Sequence, residues 1–469
     1  MSRYFKYKTA ADLDRDARAL GLDIRLTDDH SPLLRPLEVG GRRLGNRLAI
    51  QPMEGCDATP DGSPDELTVR RFRRFGAGGA KLIWGEAAAV RPEARANPRQ
   101  LVIDAAHFDG LARLAETCRS AHRAAFGDAD DLLIGLQLTH SGRYSVPRPI
   151  LAQHDPALDP LTVVDRATGA KAGPDYPLIT DAELDRLQDT YVEAAALAYR
   201  AGFDFVDLKS CHRYLVSELL SAESRPGRYG GPFENRTRFL REVAGRIRDR
   251  HPAAILGVRL NVFDGLPHGV ERSSSLVWGA RRDDPAVFEG SEPIRLVGML
   301  RDLGVTLINV TAGNPYASAH LLRPFEYAPP DAYETPEHPL IGVDRHFRIT
   351  EAIQASNPEV VTIGSGYSWL QAFLPNAGAA NVRDGRVAVV GVGRASLSHP
   401  DFGRYVMEGR PLDPKRTCRT FSYCTALMRS KHHPLGQFPA GCPPFDKAEY
   451  GPIWAEAKAT QPKTAGVSR

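Results

Sequence analysis

Phe205-Val206-Asp207-Leu208-Lys209-Ser210-Cys211-His212-Arg213-Tyr214-Leu215 joins an apolar strand to a cluster of proton-handling side chains. Lys209, His212 and Tyr214 fall within six positions of one another, and Arg228-Tyr229-Gly230-Gly231-Pro232-Phe233-Glu234-Asn235-Arg236 then gives a Gly-Gly turn and a new helix. Three such groups converging where a strand ends predict the wall of a pocket. A strand that ends in chemistry before a helix begins is a unit of α/β architecture.

Working outward, the same unit recurs. Candidate strands cover residues 48–53, 81–87, 132–139, 203–209, 255–260, 307–311, 360–364 and 387–391. Helical patterns occupy 66–75, 108–125, 181–201, 235–250, 293–303, 344–355 and 368–377 between them. Strands that read as nearly unbroken Val, Ile and Leu are buried on both faces, as in a parallel sheet. Eight of them alternating with helices predict a (β/α)₈ TIM barrel; a doubly wound sheet is the competing α/β arrangement. Ahead of the first strand, residues 37–44 read as a hairpin around Gly40-Gly41, placed to plug the barrel floor. Segments 144–177, 263–292 and 314–341 are too long for ordinary connections. All three follow strands and so belong on the C-terminal face, where barrel enzymes keep their sites and long loops act as lids. The expected organisation is a barrel with leader and hairpin over residues 1–411 and an extension packing on it over 412–469, with 460–469 disordered.

Bulk properties narrow the class. The 469 residues are 42% hydrophobic and 25% charged with a formal net charge of +3, and the basic residues are interleaved with acids, which argues against a nucleic-acid binder. No apolar run is long enough to span a membrane, and Met1-Ser2-Arg3-Tyr4-Phe5-Lys6 lacks a signal-peptide core. Six cysteines in this length do not make a disulfide scaffold. A soluble cytoplasmic protein with a small-molecule substrate is the expectation, with a homo-oligomer as one option.

Polar positions gather at the strand ends. Glycine-rich turns after strands seven and eight, Gly364-Ser365-Gly366 and Gly391-Val392-Gly393-Arg394, expose backbone N–H groups that suit a phosphate, with Arg394 available to pair bidentately; the alternative is a pair of tight turns beside a surface arginine. Gln137 offers a donor and an acceptor to a heterocycle edge. Arg259 either holds negative charge on the same ring or forms a structural salt bridge.

Together these positions resemble the Old Yellow Enzyme family, FMN-dependent barrel oxidoreductases that reduce activated C=C bonds. Pro52-Met53 matches the family's pair after the first strand, and Gln137 through Arg143 meets its Gln-Leu-x-His-x-Gly-Arg motif in full. His212-Arg213-Tyr214-Leu215 stands for its His-Gly-Tyr-Leu segment, and the run from Arg225 to Phe239 and the pairs Gly393-Arg394 and Pro400-Asp401 complete the series. The resemblance implies FMN held by Pro52, Met53, Glu54, Ala87, Gln137, Arg259, Ser365, Gly366, Gly393 and Arg394, with NADH or NADPH as hydride donor and an enone or enoate as acceptor in ping-pong turnover. It also implies that Tyr214 donates the proton to Cα, while Lys209 and His212 bind the acceptor's oxygen.

Two departures stand out. The family's strand-four pair is His-x-x-His or His-x-x-Asn, and here it is Lys209 and His212. Family members carry Thr or Cys after Pro-Met, and here it is Glu54. An ion pair between Glu54 and Lys209 would reconcile both, because an unpaired buried charge is unfavourable; Lys209 could instead pair with Glu86 and touch no substrate, and Tyr214 could be a core or rim residue. Cys56 and Cys211 read as buried spectators. Cys418, Cys424 and Cys442 lack a Cys-x-x-Cys array, so no metal is expected, although zinc could use His432 or His433. The rival chemistry is a Schiff-base lyase on Lys209. A third reading is a flavin-bound isomerase or binding protein without reductase turnover.

Overall fold

A computed structural model describes residues 2–146, 148–270, 277–329 and 332–460. Eight parallel strands close into a barrel: β1 Leu48–Ile50, β2 Leu82–Ala89, β3 Leu133–Thr139, β4 Phe205–Leu208, β5 Ile255–Phe263, β6 Leu307–Ala312, β7 Val361–Gly364 and β8 Val389–Val392. β8 pairs with β1 in parallel register, Val390 opposite Leu48, which closes the ring. Every residue of these strands is buried, as expected when helices cover the outer face of a parallel sheet. The doubly wound alternative is excluded by that closure. No helix among the described residues is long and apolar enough to cross a membrane.

Inward side chains are layered. Leu82, Trp84, Leu133, Phe205, Leu307 and Ile363 form an apolar floor. Val39 and Leu44 of the hairpin Leu37–Val39 and Arg42–Leu44 join that cluster from below. The floor is possible because Gly135 is bare; a Cβ there would lie 2.2 Å from the Phe205 ring. Above it the interior turns polar. Asn309 Nδ2 donates to Gln51 Oε1 at 2.8 Å, and Gln51 Nε2 donates to the Gly364 carbonyl at 3.0 Å. Asp207, fully buried, accepts from Trp84 Nε1 at 2.7 Å, from Gln137 Nε2 at 2.5 Å and from the Arg259 N–H at 2.5 Å.

Several element boundaries differ from the sequence reading. β1 stops at Ile50, leaving Gln51 to Met53 as loop, because Pro52 cannot donate to the ladder. The helix read from 344 begins at Pro339, with Pro at its first turn. The pattern at 368–377 splits into a 3₁₀ run, Tyr367–Phe373, kinked at Gln371 where φ is 53°, and a helix, Leu374–Arg383. Helix 235–250 likewise divides into Phe233–Arg236 and Arg238–Arg250. Parts of all three long loops, and residues 461–469 of the tail expected to be disordered, lie outside the described residues.

The C-terminal extension folds back over the barrel mouth. Its helices are Tyr423–Arg429 and Lys447–Ala459. Leu427, Phe438, Tyr450 and Ala457 make a small core that takes in Leu67 of the helix Glu66–Gly76. Arg70 of that helix donates twice to Asp446, at 2.8 and 2.9 Å. The Ala440 N–H donates to the Gly55 carbonyl at 2.6 Å, and Arg429 reaches the Pro315 carbonyl at 3.2 Å. The extension thus touches loops after β1 and β6.

Candidate active site

The strand ends bring the sequence-selected residues into one continuous rim. Ala87 on β2 sits opposite Gln137 on β3. Gln137 is tied through Asp207 to the backbone of Arg259. Arg259 Nη1 donates to the Pro52 carbonyl at 3.3 Å. A Cβ on Gly393 would lie 3.7 Å from Met53 Sδ. Ser365 accepts from Gln51 at 3.2 Å and donates to the Val310 carbonyl at 2.9 Å. Gly366 needs its left-handed φ of 95°, and a Cβ there would crowd the ring of His346. Because Gln137 spends an N–H on Asp207, its Oε1 has no hydrogen bond among the described residues and stands as an acceptor.

Three arginines line this rim without an ion pair among the described residues. Arg259 forms no ion pair among the described residues, its Nε is buried without a partner, and burial lowers its pKa. Arg394 gives one N–H to the Pro324 carbonyl and leaves Nη1 buried and unpartnered. Arg323, from the loop after β6, hydrogen-bonds Thr425 and leaves its Nε unpartnered. Burial pushes Arg323 down, and the neighbouring Arg394 guanidinium pushes it further. Two guanidinium groups that destabilise each other in a buried corner call for a dianion, and a phosphate accepts from both. The donor set therefore fits FMN: a planar heterocycle beside Gln137 and Arg259, and a phosphate between the β7 and β8 turns and Arg323 and Arg394. Sequence reasoning missed Arg323, which lies 71 positions before Arg394 in a loop with no motif.

On the opposite wall, Lys209 Nζ donates to Glu54 Oε1 at 3.0 Å, with both side chains largely buried. Asn97 donates to the other Glu54 oxygen at 3.2 Å. Glu86 is not Lys209's partner. It is bound by Arg71, which also pairs with Asp57, and it accepts the Gly55 N–H at 2.8 Å, so it fixes the turn that carries Glu54. The ammonium of Lys209 also lies 3.9 Å from the centroid of the Tyr214 ring.

His212 and Arg213 both adopt left-handed backbone, φ 63° and 60°. That strain is held by Arg213, whose buried guanidinium pairs with Asp155 from the loop after β3 and with Asp264 after β5, the latter at 2.9 Å. His212 Nε2 sits 3.4 Å from Thr311 Oγ1. Burial drives its pKa well below the ordinary value, and Arg259 and Lys209 act in the same direction, so the imidazole is neutral. Tyr214 is only 4% exposed, and burial raises its phenol well above 10, so it is protonated. Its ring meets that of Tyr144 edge-on, with centroids 5.6 Å apart. Cys56 and Cys211 are buried thiols whose pKa values burial raises. Among the described residues no group of His, Cys, Asp and Glu forms a metal site, Cys418, Cys424 and Cys442 included.

Residues 32–277, half of the chain, match the model of the NADH:flavin oxidoreductase / NADH oxidase family. An NADPH dehydrogenase of Geobacillus thermodenitrificans (strain NG80-2) is 32% identical over 244 residues, which cover 51% of this chain and 65% of that enzyme, just under two thirds of its length. Among solved structures, a 2-naphthoyl-CoA reductase in complex with 2-naphthoyl-CoA superposes with a TM-score of 0.66 at 18% identity, over 93% of this chain and 60% of that one. The Old Yellow Enzyme homologue from Zymomonas mobilis gives 0.58 at 21% identity, over 82% and 94%. At such identities these likenesses speak for the barrel. With the family model spanning half of the sequence and the rim fitted to a flavin, the chain belongs to the NADH:flavin oxidoreductase / NADH oxidase family, flavin-dependent enzymes of the Old Yellow Enzyme type.

Proposed function

We propose that the protein is an FMN-dependent reductase that takes hydride from NADH or NADPH and reduces an electron-poor C=C bond of a small enone or enoate. Bound FMN would supply the redox chemistry, receiving hydride and passing it to the substrate's Cβ in two half-reactions at one face. The chain supplies the rest. Pro52, Met53, Glu54, Ala87, Gln137, Arg259, Ser365, Gly366, Gly393 and Arg394, joined by Arg323, hold the group. The carbonyl oxygen of the substrate accepts from His212 and from the N–H bonds of Lys209 not given to Glu54. As negative charge develops on that oxygen, one neutral and one cationic donor stabilise it. Tyr214 then delivers its hydroxyl proton to Cα. The reading is carried by one juxtaposition: a buried protonated phenol and a neutral imidazole stand beside a rim whose three buried arginines form no ion pair among the described residues and keep unpartnered N–H groups.

The lyase reading has less support, because a Schiff base needs a free amine and Lys209 is engaged as a donor to Glu54. Anaerobic mixing tests the proposal. Each nicotinamide is added to the flavin-loaded protein, and reoxidation is followed with cyclohexenone and with an enoate. Bleaching followed by recovery of colour is expected, and Tyr214→Phe should slow the second phase by about 10²–10⁴-fold while leaving the first intact. Flavin that neither nicotinamide bleaches, or a Tyr214→Phe enzyme that reoxidises normally, would remove the proposal.

A further inference from the structure

Tyr214, once it has given up its proton, is a buried phenolate that water reaches poorly. Burial already raises its pKa well above the ordinary value, so the deprotonated form is short of stabilisation except from Lys209, 3.9 Å from the ring centroid. A donor is nevertheless in place. The Tyr316 hydroxyl lies 3.3 Å from that of Tyr214. Tyr316 belongs to the long loop after β6, and at 48% exposure it is the most water-accessible tyrosine among the described large hydrophobics. The Tyr214 side chain is sealed and that of Tyr316 reaches solvent along much of its surface, although burial raises the Tyr316 phenol as well, and their oxygens face each other.

The placement of Tyr316 is built. Its ring stacks on Tyr144 with centroids 4.1 Å apart and planes 27° apart. Asn314 orders both: its Oδ1 accepts the Tyr316 N–H at 2.8 Å, and its Nδ2 donates to the Tyr144 hydroxyl at 2.6 Å. Tyr144 follows the Gln137–Arg143 motif on the neighbouring loop and packs edge-on against Tyr214. An exposed aromatic side chain normally gains little from being fixed this way. Here the fixing points its hydroxyl at the one buried phenol that must be recharged on every turnover.

We infer that Tyr316 relays protons to Tyr214. This rests on Tyr214 being the proton donor of the proposed reaction. As the C–H bond forms at Cα and the Tyr214 O–H bond breaks, the Tyr316 O–H donates to the Tyr214 oxygen. Its proton crosses, the Tyr316 phenolate takes a proton from water, and the hydride added at Cβ balances the reduction. Tyr316 acts through Tyr214 and not on substrate, so it is a positioning residue.

The test uses the full-length flavoprotein and three variants, Tyr316→Phe, Tyr214→Phe and the double variant. Reduction by NAD(P)H, reoxidation by cyclohexenone and reoxidation by ferricyanide, which needs no proton at carbon, are each timed. The expected result is a Tyr316→Phe enzyme at least about tenfold slower with cyclohexenone. Its KM for the enone, its reduction phase and its ferricyanide phase should be unchanged, and the double variant should be no slower than Tyr214→Phe alone. A Tyr316→Phe enzyme matching the wild type, or one equally impaired with ferricyanide, overturns the relay even where Tyr214→Phe is slow. A Tyr214→Phe enzyme as fast as wild type would instead sink the proposed reaction itself.

Discussion

Lys209 and Glu54 each look out of place at a barrel mouth until they are seen together. Neither can lose its partner without leaving a charge in a largely buried site, and removing one member of such a pair destabilises by about 3–5 kcal/mol, more than removing both. Lys209→Met should therefore lower the unfolding midpoint in denaturant and weaken flavin retention, and Lys209→Met combined with Glu54→Gln should recover most of the loss. A double variant as unstable as the sum of the singles would show that the two do not act as a pair. Residues of this kind were half legible. The Lys and Glu stood out because they broke a motif, and their charges suggested each other. Asp207 did not stand out, because its strand reads as apolar and a buried carboxylate is rare enough to be passed over, although it fixes Gln137 and Arg259 together. Tyr316 and Arg323 carried no local signal, since what brings them to the rim is the course of a long loop, and Thr311 sits at the end of a strand that reads as apolar.

Among the elements, the eight strands were legible because their residues are apolar on both faces, and the hairpin because Gly40-Gly41 admits positive φ. The first helix, Ala10–Ala19, was overlooked although Thr9 and Asp12 form a capping box that the sequence displays. The segment before it matters for the site. Glu326, fully buried in the loop after β6, accepts from the backbone N–H groups of Arg3 at 2.6 Å, Tyr4 at 2.9 Å and Phe5 at 3.0 Å, and from Trp369 Nε1 at 3.0 Å. One carboxylate thus binds the N-terminal strap, the 3₁₀ run after the β7 turn, and the loop that carries Arg323. Hydrogen bonds to a charged group contribute about 1.5–3 kcal/mol each. Glu326→Ala should make amides 3–5 exchange hydrogen rapidly and weaken FMN binding about tenfold, read by exchange mass spectrometry and flavin titration. Retained protection of those amides would count against the role. No pattern in the sequence announced this hub, because three of its four donors named here are backbone groups more than 300 positions away.

Across the whole molecule, the barrel and its extension share one buried cationic corner. A ligand that neutralises Arg323 and Arg394 stabilises only the folded state, by about 2.7 kcal/mol at a hundredfold excess over its dissociation constant. FMN should raise the melting temperature of flavin-depleted protein far more than riboflavin, which lacks the phosphate. Arg323→Ala and Arg394→Ala should each shrink that difference, as differential scanning fluorimetry would record. Equal shifts with the two flavins would place the anion elsewhere.

The extension has a kinetic corollary. Thr425, on its first helix, holds Arg323, and Ala440 is bonded to Gly55 beside Glu54. The phosphate end of the rim and the substrate end are both tied to the extension, so its opening would loosen both ends at once. For a flavin seated beneath those contacts, release would be coupled to local opening of the extension, and slow dissociation at modest equilibrium binding is the expected outcome, read by the rate of flavin loss on dilution. An enzyme of this construction would be loaded with pigment once, near the time it folds, and would keep it through cycles of scarcity.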